Sequence, residues 1–243
     1  MHRGIKQKLL TGAVLVGACL LASSASASPV VFSKLTGATV GGAPAATAVY
    51  NADLSGNGNI LSLTIFDNSA GIGGATGQFT GFDLDAIVLS YTNVADTSLL
   101  GTVVPLAVFD FSSLGTFFSP GVQRAPVNPK LFGTDATGTH LDNTVATLGA
   151  FDANSSVVVP PAFGFISMGD NGVLSFNLSA AIDSTKLHLY IGEVGDNGEV
   201  AAGRVLVSQD PVNPVPEPGT LTLLGIGLLS GARAARKRLR PNA

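Results

Sequence analysis

Alternation with a period of two residues is the strongest constraint on what this chain can fold into. The stretch "NILSLTIFD" sets Leu61, Leu63 and Ile65 on one face of an extended segment. "GVLSFNLS" does the same with Leu174, Phe176 and Leu178, and "KLHLYIGEV" with Leu187, Leu189 and Ile191. Runs of this kind bury one face of an antiparallel sheet. "FDLDAIVLSY" and "GTVVPLAVFDF" read as two further strands. The sequence "GDNG" occurs twice, at 169–172 and 195–198, each time between β-like runs, and Asn-Gly predicts a tight hairpin turn. The 30 glycines and 13 prolines follow no three-residue period, which excludes collagen and supplies turns between short strands. No long stretch of the body has helical periodicity, and no repeat suggests a solenoid. The expectation is an all-β fold: an antiparallel β-sandwich or jelly-roll body, in one domain over residues 28–210.

The charges are segregated. Arg3, Lys6 and Lys8 lie at the N-terminus, and Arg233, Arg236, Lys237, Arg238 and Arg240 at the C-terminus. Only five of the 13 basic residues remain between them, against all 16 acidic ones, so that part carries about −11 although the whole chain is −3. An acidic body with no basic patch predicts no nucleic-acid partner. Basic ends beside apolar segments point to membrane topology instead.

Residues 1–27 have the three parts of a secretory signal helix: a basic start to Lys8, an apolar run from Leu9 to Leu21, and the small-residue exit Ala25-Ser26-Ala27. Cleavage is expected after Ala27, with Ala25 and Ala27 as the recognised small residues. The Sec translocon and signal peptidase are then partners. "VGAC" around Cys19 is a loose lipobox and a rival site. The residues after it, Leu20, Leu21 and Ala22, stay apolar, and the better exit follows. Cleavage after Ala27 removes the one cysteine, leaving no disulfide and no thiol chemistry.

The other end is "VPEPGTLTLLGIGLLSGARAARKRLRPNA". Prolines at 211, 214, 216 and 218 make residues 211–218 a stiff linker and hold Glu217 extended. Residues 219–235 form an expected short transmembrane helix. Its uncharged part, 14 residues, spans only about 21 Å against a hydrocarbon core of about 30 Å. Arg233, Arg236, Lys237 and Arg238 then keep the basic tail, residues 236–243, in the cytoplasm, with the body outside. Such a marginal span suits a transient inner-membrane anchor.

Pro216-Glu217-Pro218, a short Leu/Gly-rich helix and a terminal basic cluster resemble the PEP-CTERM sorting signal, over about a tenth of the chain. Thr222 stands where an apolar residue is more usual. The same tail pattern also goes by the label of an ice-binding-protein C-terminal domain, which does not imply ice binding. The resemblance implies recognition of Pro216, Glu217 and Pro218 by an exosortase, a membrane transpeptidase-like enzyme, and removal of the tail. It implies a Gram-negative host that makes exopolysaccharide, and an address at the cell surface or in the extracellular matrix. It implies nothing about the activity of the body.

Chemistry in the body is thin. There is no G-x-S-x-G, HExxH, Walker or EF-hand pattern. His140 and His188 are the histidines of the mature chain, and His188, between Leu187 and Leu189, is expected to face outward. Asp83 and Asp85 share one face of a predicted strand, and Glu193 and Asp196 flank a turn. Two carboxylates with loop carbonyls would suit Ca²⁺. The plainer reading, preferred here, is solvated acids at strand ends and turns. No cofactor is expected and no catalytic residue is assigned. The functional expectation is a secreted, exosortase-sorted surface or matrix protein with a structural or adhesive role, exopolysaccharide being a candidate partner. A carbohydrate-binding module is the alternative, expected to show a Tyr/Phe platform although the chain has no Trp, and a secreted hydrolase stands behind it. The exported protein should begin at Ser28, and Ala27→Asp should leave the signal attached. Mass spectrometry of the N-terminus reads both.

Overall fold

The computed structural model describes residues 28–41, 45–69, 71–152, 164–199 and 201–212. The expected signal helix with Ala25 and Ala27, the motif Pro216, Glu217 and Pro218, the membrane helix, and Arg233, Arg236, Lys237 and Arg238 all lie outside these residues. Among the described residues no helix is long and apolar enough to cross a membrane.

Ten strands form among the described residues: β1 (Ser28–Val30), β2 (Ser33–Lys34), β3 (Thr47–Asp53), β4 (Asn59–Asp67), β5 (Asp83–Ser90), β6 (Thr116–Ser119), β7 (Ile166–Ser167), β8 (Val173–Asp183), β9 (His188–Val194) and β10 (Ala201–Ser208). They make two five-stranded antiparallel sheets, ordered β1-β10-β4-β8-β6 and β2-β3-β9-β5-β7. The described residues are therefore all-β apart from two short 3-10 turns, as the alternation predicts. One apolar core takes Leu63, Ile65, Leu174 and Phe176 from the first sheet and Leu84, Ile87, Leu89, Leu189 and Ile191 from the second.

The order of the strands carries an unexpected rule. From β3 onward every connection leaves one sheet and enters the other. Both GDNG turns obey it: 169–172 leads from β7 to β8 and 195–198 from β9 to β10, so neither closes the hairpin that Asn-Gly predicts. They are arches over the end of the core. Asn171 (φ 64°) and Asp196 (φ 47°) adopt the left-handed conformation that Asn and Asp tolerate better than most side chains.

The stretch "GTVVPLAVFDF" also departs from expectation, since no strand forms there. It begins in a 3-10 turn (Thr97–Thr102), and Pro105 has no amide hydrogen to give a ladder. It then crosses between sheets. Leu106 N–H donates to Leu89 O of β5 at 2.8 Å, and Asp110 N–H donates to Asn177 O of β8 at 3.1 Å.

The two sheets differ in how their outer faces are treated. On the first sheet that face is polar, with Thr64 and Ser175 hydroxyls 2.8 Å apart across β4 and β8. On the second it is covered by a smaller cluster of Leu35, Val49, Val88, Val94 and Tyr190. Tyr190 is fully buried there, its hydroxyl donating to Thr92 O at 2.7 Å and accepting from Val94 N–H at 2.9 Å. Every residue of β5 and β9 is consequently buried.

Within β4 the expected face is shifted. The β4–β8 register slips between Ile60 and Ser62, where β8 carries extra residues. Ile60, Leu63 and Ile65 are fully buried, while Leu61 is only half-buried. The chain's exit is also tied: Val212 N–H donates to Asn177 Oδ1 at 2.7 Å, and Asn177 Nδ2 donates back to Val212 O at 2.9 Å.

This register makes a sharp comparison. Leu63→Ala should cost about 2–5 kcal/mol as a core truncation, whereas Leu61→Ala should cost less than about 1 kcal/mol. Urea unfolding of the two variants checks it.

Candidate functional site

Strand ends and arches gather an unusual set of acids at one end of the core. β9 ends near Glu193, which pairs in register with Ala48 of β3 and Leu84 of β5. β5 starts with Asp83, opposite Ser167 of β7. β4 ends with Asp67, and the second GDNG arch runs directly into Glu199. All four are buried: Glu193 is 0% exposed, Glu199 2%, Asp83 4% and Asp67 4%. The expectation of solvated acids is thus wrong for Asp83, Asp85 and Glu193. Partners on both sides of each strand close these positions to water, which an alternating pattern does not reveal.

Asp67 is well supplied with donors. Its Oδ1 accepts from Phe82 N–H and its Oδ2 from Asn171 N–H, both at 2.8 Å, and the Ser69 hydroxyl donates to it as well. It pins β4, β5 and the first GDNG arch together. The other three are not so supplied. Asp83 Oδ1, Glu193 Oε1 and both Glu199 carboxyl oxygens are buried without a hydrogen bond. Burial pushes the Glu193 carboxyl up to about 8, and the nearby Glu199 adds to it. Burial likewise pushes Glu199 up to about 8, with Arg124 opposing and Asp67 and Asp170 reinforcing. Asp83 is raised well above the usual carboxylate range by burial and then by Glu199, with Ser167 pulling the other way.

One guanidinium serves this group. Arg124 Nε reaches both Asp170 oxygens at 3.1 Å, Nη1 donates to Gly73 O, and Nη2 lies 3.7 Å from Glu199 Oε1. The loop at 71–74 presses on the arch at 197–199. A Cβ on Gly73 would come within 2.4 Å of the Gly198 carbonyl carbon, and one on Gly74 within 1.5 Å of Glu199 Oε1. Glycine is required there by both φ (+76° and +63°) and space.

The remaining candidates are dispersed. Asp85 does not join Asp83 in a site; its Oδ2 accepts from the Thr47 hydroxyl at 2.5 Å. Among the described residues no group of three or more His, Cys, Asp or Glu side chains is placed to hold a metal ion. The Asp83–Asp85 calcium reading therefore gains no support. Asp196 does sit with Glu193, its N–H donating to Glu193 Oε2 at 2.9 Å, and its carboxylate pairs with Lys34. His140 lies in an exposed loop with Nδ1 3.4 Å from Asp135 Oδ2. His188 is on the opposite side of β9 from Leu187 and Leu189, as expected, but it is covered rather than exposed, in a groove of about 440 Å³ with Asn51, Asp53 and Asn93. The tyrosines form no common platform: Tyr190 is buried, Tyr50 half-buried and Tyr91 half-exposed. Phe109 and Phe111 stack at 5.7 Å, but both set an edge against buried Phe176.

Residues 214–238 match the family model of the PEP-CTERM protein-sorting motif. The chain carries a PEP-CTERM sorting signal. That signal marks it for recognition by an exosortase, for export, and for a place at the cell surface or beyond it. No curated protein and no solved structure matches the chain. The PEP-CTERM signal thus accounts for the address of the protein, while the acid-lined end of the core was missed by sequence reasoning. The signal that would have revealed it is the placing of Asp83 and Glu193 at the ends of runs too apolar to leave either face wet.

The glycine loop offers the direct check on this geometry. Gly71→Ala, with nothing within 4 Å of the new methyl, should cost about 1–2 kcal/mol from its left-handed φ alone. Gly74→Ala should cost at least about 3 kcal/mol, because overlap with Glu199 is added to the strain. Denaturant unfolding of the pair measures the difference.

Proposed function

We propose that this is an exosortase-processed surface or matrix protein whose β-sandwich body has a structural or adhesive role and no catalysis of its own. The signal peptide at 1–27 hands the chain to the Sec translocon and signal peptidase. The segment at 219–235 then holds it in the inner membrane, with Arg233, Arg236, Lys237 and Arg238 inside, until the exosortase acts near Pro216, Glu217 and Pro218. The body is released to the outer surface or to the exopolysaccharide layer around the cell.

The single observation that carries the reading is the sorting motif at 214–238, set immediately after a tied body. The form of the body supports a structural role. Two sheets share a core, the long loops are fastened by Asx-type turns such as Asp96 to Ser98 N–H at 2.9 Å, and the apolar groups are mostly enclosed. The dispersed tyrosines give the carbohydrate-module reading little help, and the acids without an open cleft give the hydrolase reading little.

Mass spectrometry of the C-terminus decides the matter, in cells with and without their exosortase. The expected result is a terminus near Glu217 only when the enzyme is present. Glu217→Ala should leave the chain ending at Ala243 and retained in the membrane fraction. An intact Ala243 in both strains would make the tail a permanent anchor and overturn the reading.

A further inference from the structure

We propose that the buried acids at one end of the core form a proton-operated latch, which holds the arch at 195–199 against the glycine loop at 71–74 and releases it as the medium turns alkaline. Asp83, Glu193 and Glu199 come from β5, β9 and the arch that follows β9, and each is at least nine-tenths buried with an oxygen that lacks a hydrogen bond. A buried carboxylate in that condition stays neutral more easily than charged.

The groups that face them from the surrounding elements do not balance three negative charges. Asp67 comes from β4, Asp170 from the first arch and Asp196 from the second, and all are acidic. Tyr50 of β3 is a neutral phenol, itself pushed up to about 12 by burial and then by Glu193 and Asp196. Among the described side chains the cations are Arg124, shared between Asp170, Gly73 O and Glu199, and Lys34 of β2, which is paired with Asp196. No described set of side chains there is arranged for a metal. Beyond these described side chains, protons are the counter-charge we assign to the cluster.

Glu199 is also the residue on which the contact between the two segments rests. It lies directly under Gly74, and Gly74 N–H reaches Asn197 O at 3.4 Å. Charging it places an anion in the tightest part of that contact, beside Asp83 and Glu193.

The direction follows from the raised carboxyls. Folding holds protons on Glu193 and Glu199 up to about 8, whereas the unfolded chain releases them near 4.5. The stabilisation is complete below about 4.5, is lost progressively as pH rises, and is gone above about 8. Exposed acids with lowered values, such as Asp96 and Asp135, work in the opposite direction and only in more acidic solution.

The test uses the mature protein isolated from the cells that export it, in buffer with a chelator. Its Tm should fall by about 5–10 °C between pH 5 and pH 9. Amides at 195–199 and 71–74 should exchange at least about tenfold faster at pH 9, after correction for the intrinsic rate, while those of β9 do not. The double variant Glu193→Gln, Glu199→Gln keeps the shape and removes two of the three ionisations, leaving Asp83, so its Tm should fall by less than half as much over the same range. A wild-type Tm that is level or rises with pH overturns the proposal, as does an equal fall in the double variant. If the double variant does not fold, exchange at the two segments of the wild type decides: protection unchanged at pH 9 overturns it. Calcium alone restoring the wild-type Tm at pH 9 would also overturn it, by making the cluster a cation site. None of these outcomes depends on the exosortase.

Discussion

Alternation between sheets governs this structure. Because the chain changes layer at each step after β3, neighbours in sequence are not neighbours in a ladder, and β4 finds β10 and β8 rather than β3 and β5. Apart from β2–β3, every ladder then joins strands that are not consecutive, and every connection from β3 onward has to climb over an end of the core. That explains the glycine content better than hairpins do. An arch of four residues over a two-sheet end needs left-handed corners, and residues 169–172 and 195–198 provide them.

The same rule produces the acid-lined end. Where arches cross, the ends of β4, β5 and β9 converge, and backbone from 71–74 closes over the top. An acid that would be wet at the end of an open sheet becomes interior here. Asp67 shows the stable solution, a carboxylate surrounded by amide donors. Glu199 shows the opposite case, one distant guanidinium and no hydrogen bond. Asp67 of β4, set against the first arch, and Glu199, at the exit of the second, therefore differ in how many N–H groups the surrounding backbone turns toward them.

Much of the fold could be read from the residues, and its failures have physical causes. Leu63, Ile65, Leu174, Phe176, Leu189 and Ile191 were legible because period-two burial depends only on the pleat. Leu61 was not, because a bulge in the partner strand moved the face, and a bulge leaves little trace in the sequence that receives it. The GDNG turns were legible as turns, but a local dihedral does not say which sheet the next strand joins. The outer face of β9 was obscured by composition: Tyr190, Gly192 and His188 look like a polar side, yet a covering strap with Leu35 and Val94 encloses them. The sorting signal was fully legible, being read by an enzyme as a linear peptide rather than through tertiary packing. The buried acids were legible as residues but not as a site, since their character comes from burial.

The last described strand has a mechanical consequence. β10 lies between β1 and β4, antiparallel to both, and just beyond it Val212 is clamped twice to Asn177 of β8. Tension applied to the chain after Val212 meets that clamp first and then runs along β10. To give way, the strand has to slide against two neighbours at once, loading many ladder bonds in parallel instead of unzipping them singly. The end of the body next to the sorting signal is thus the end built to bear a pull.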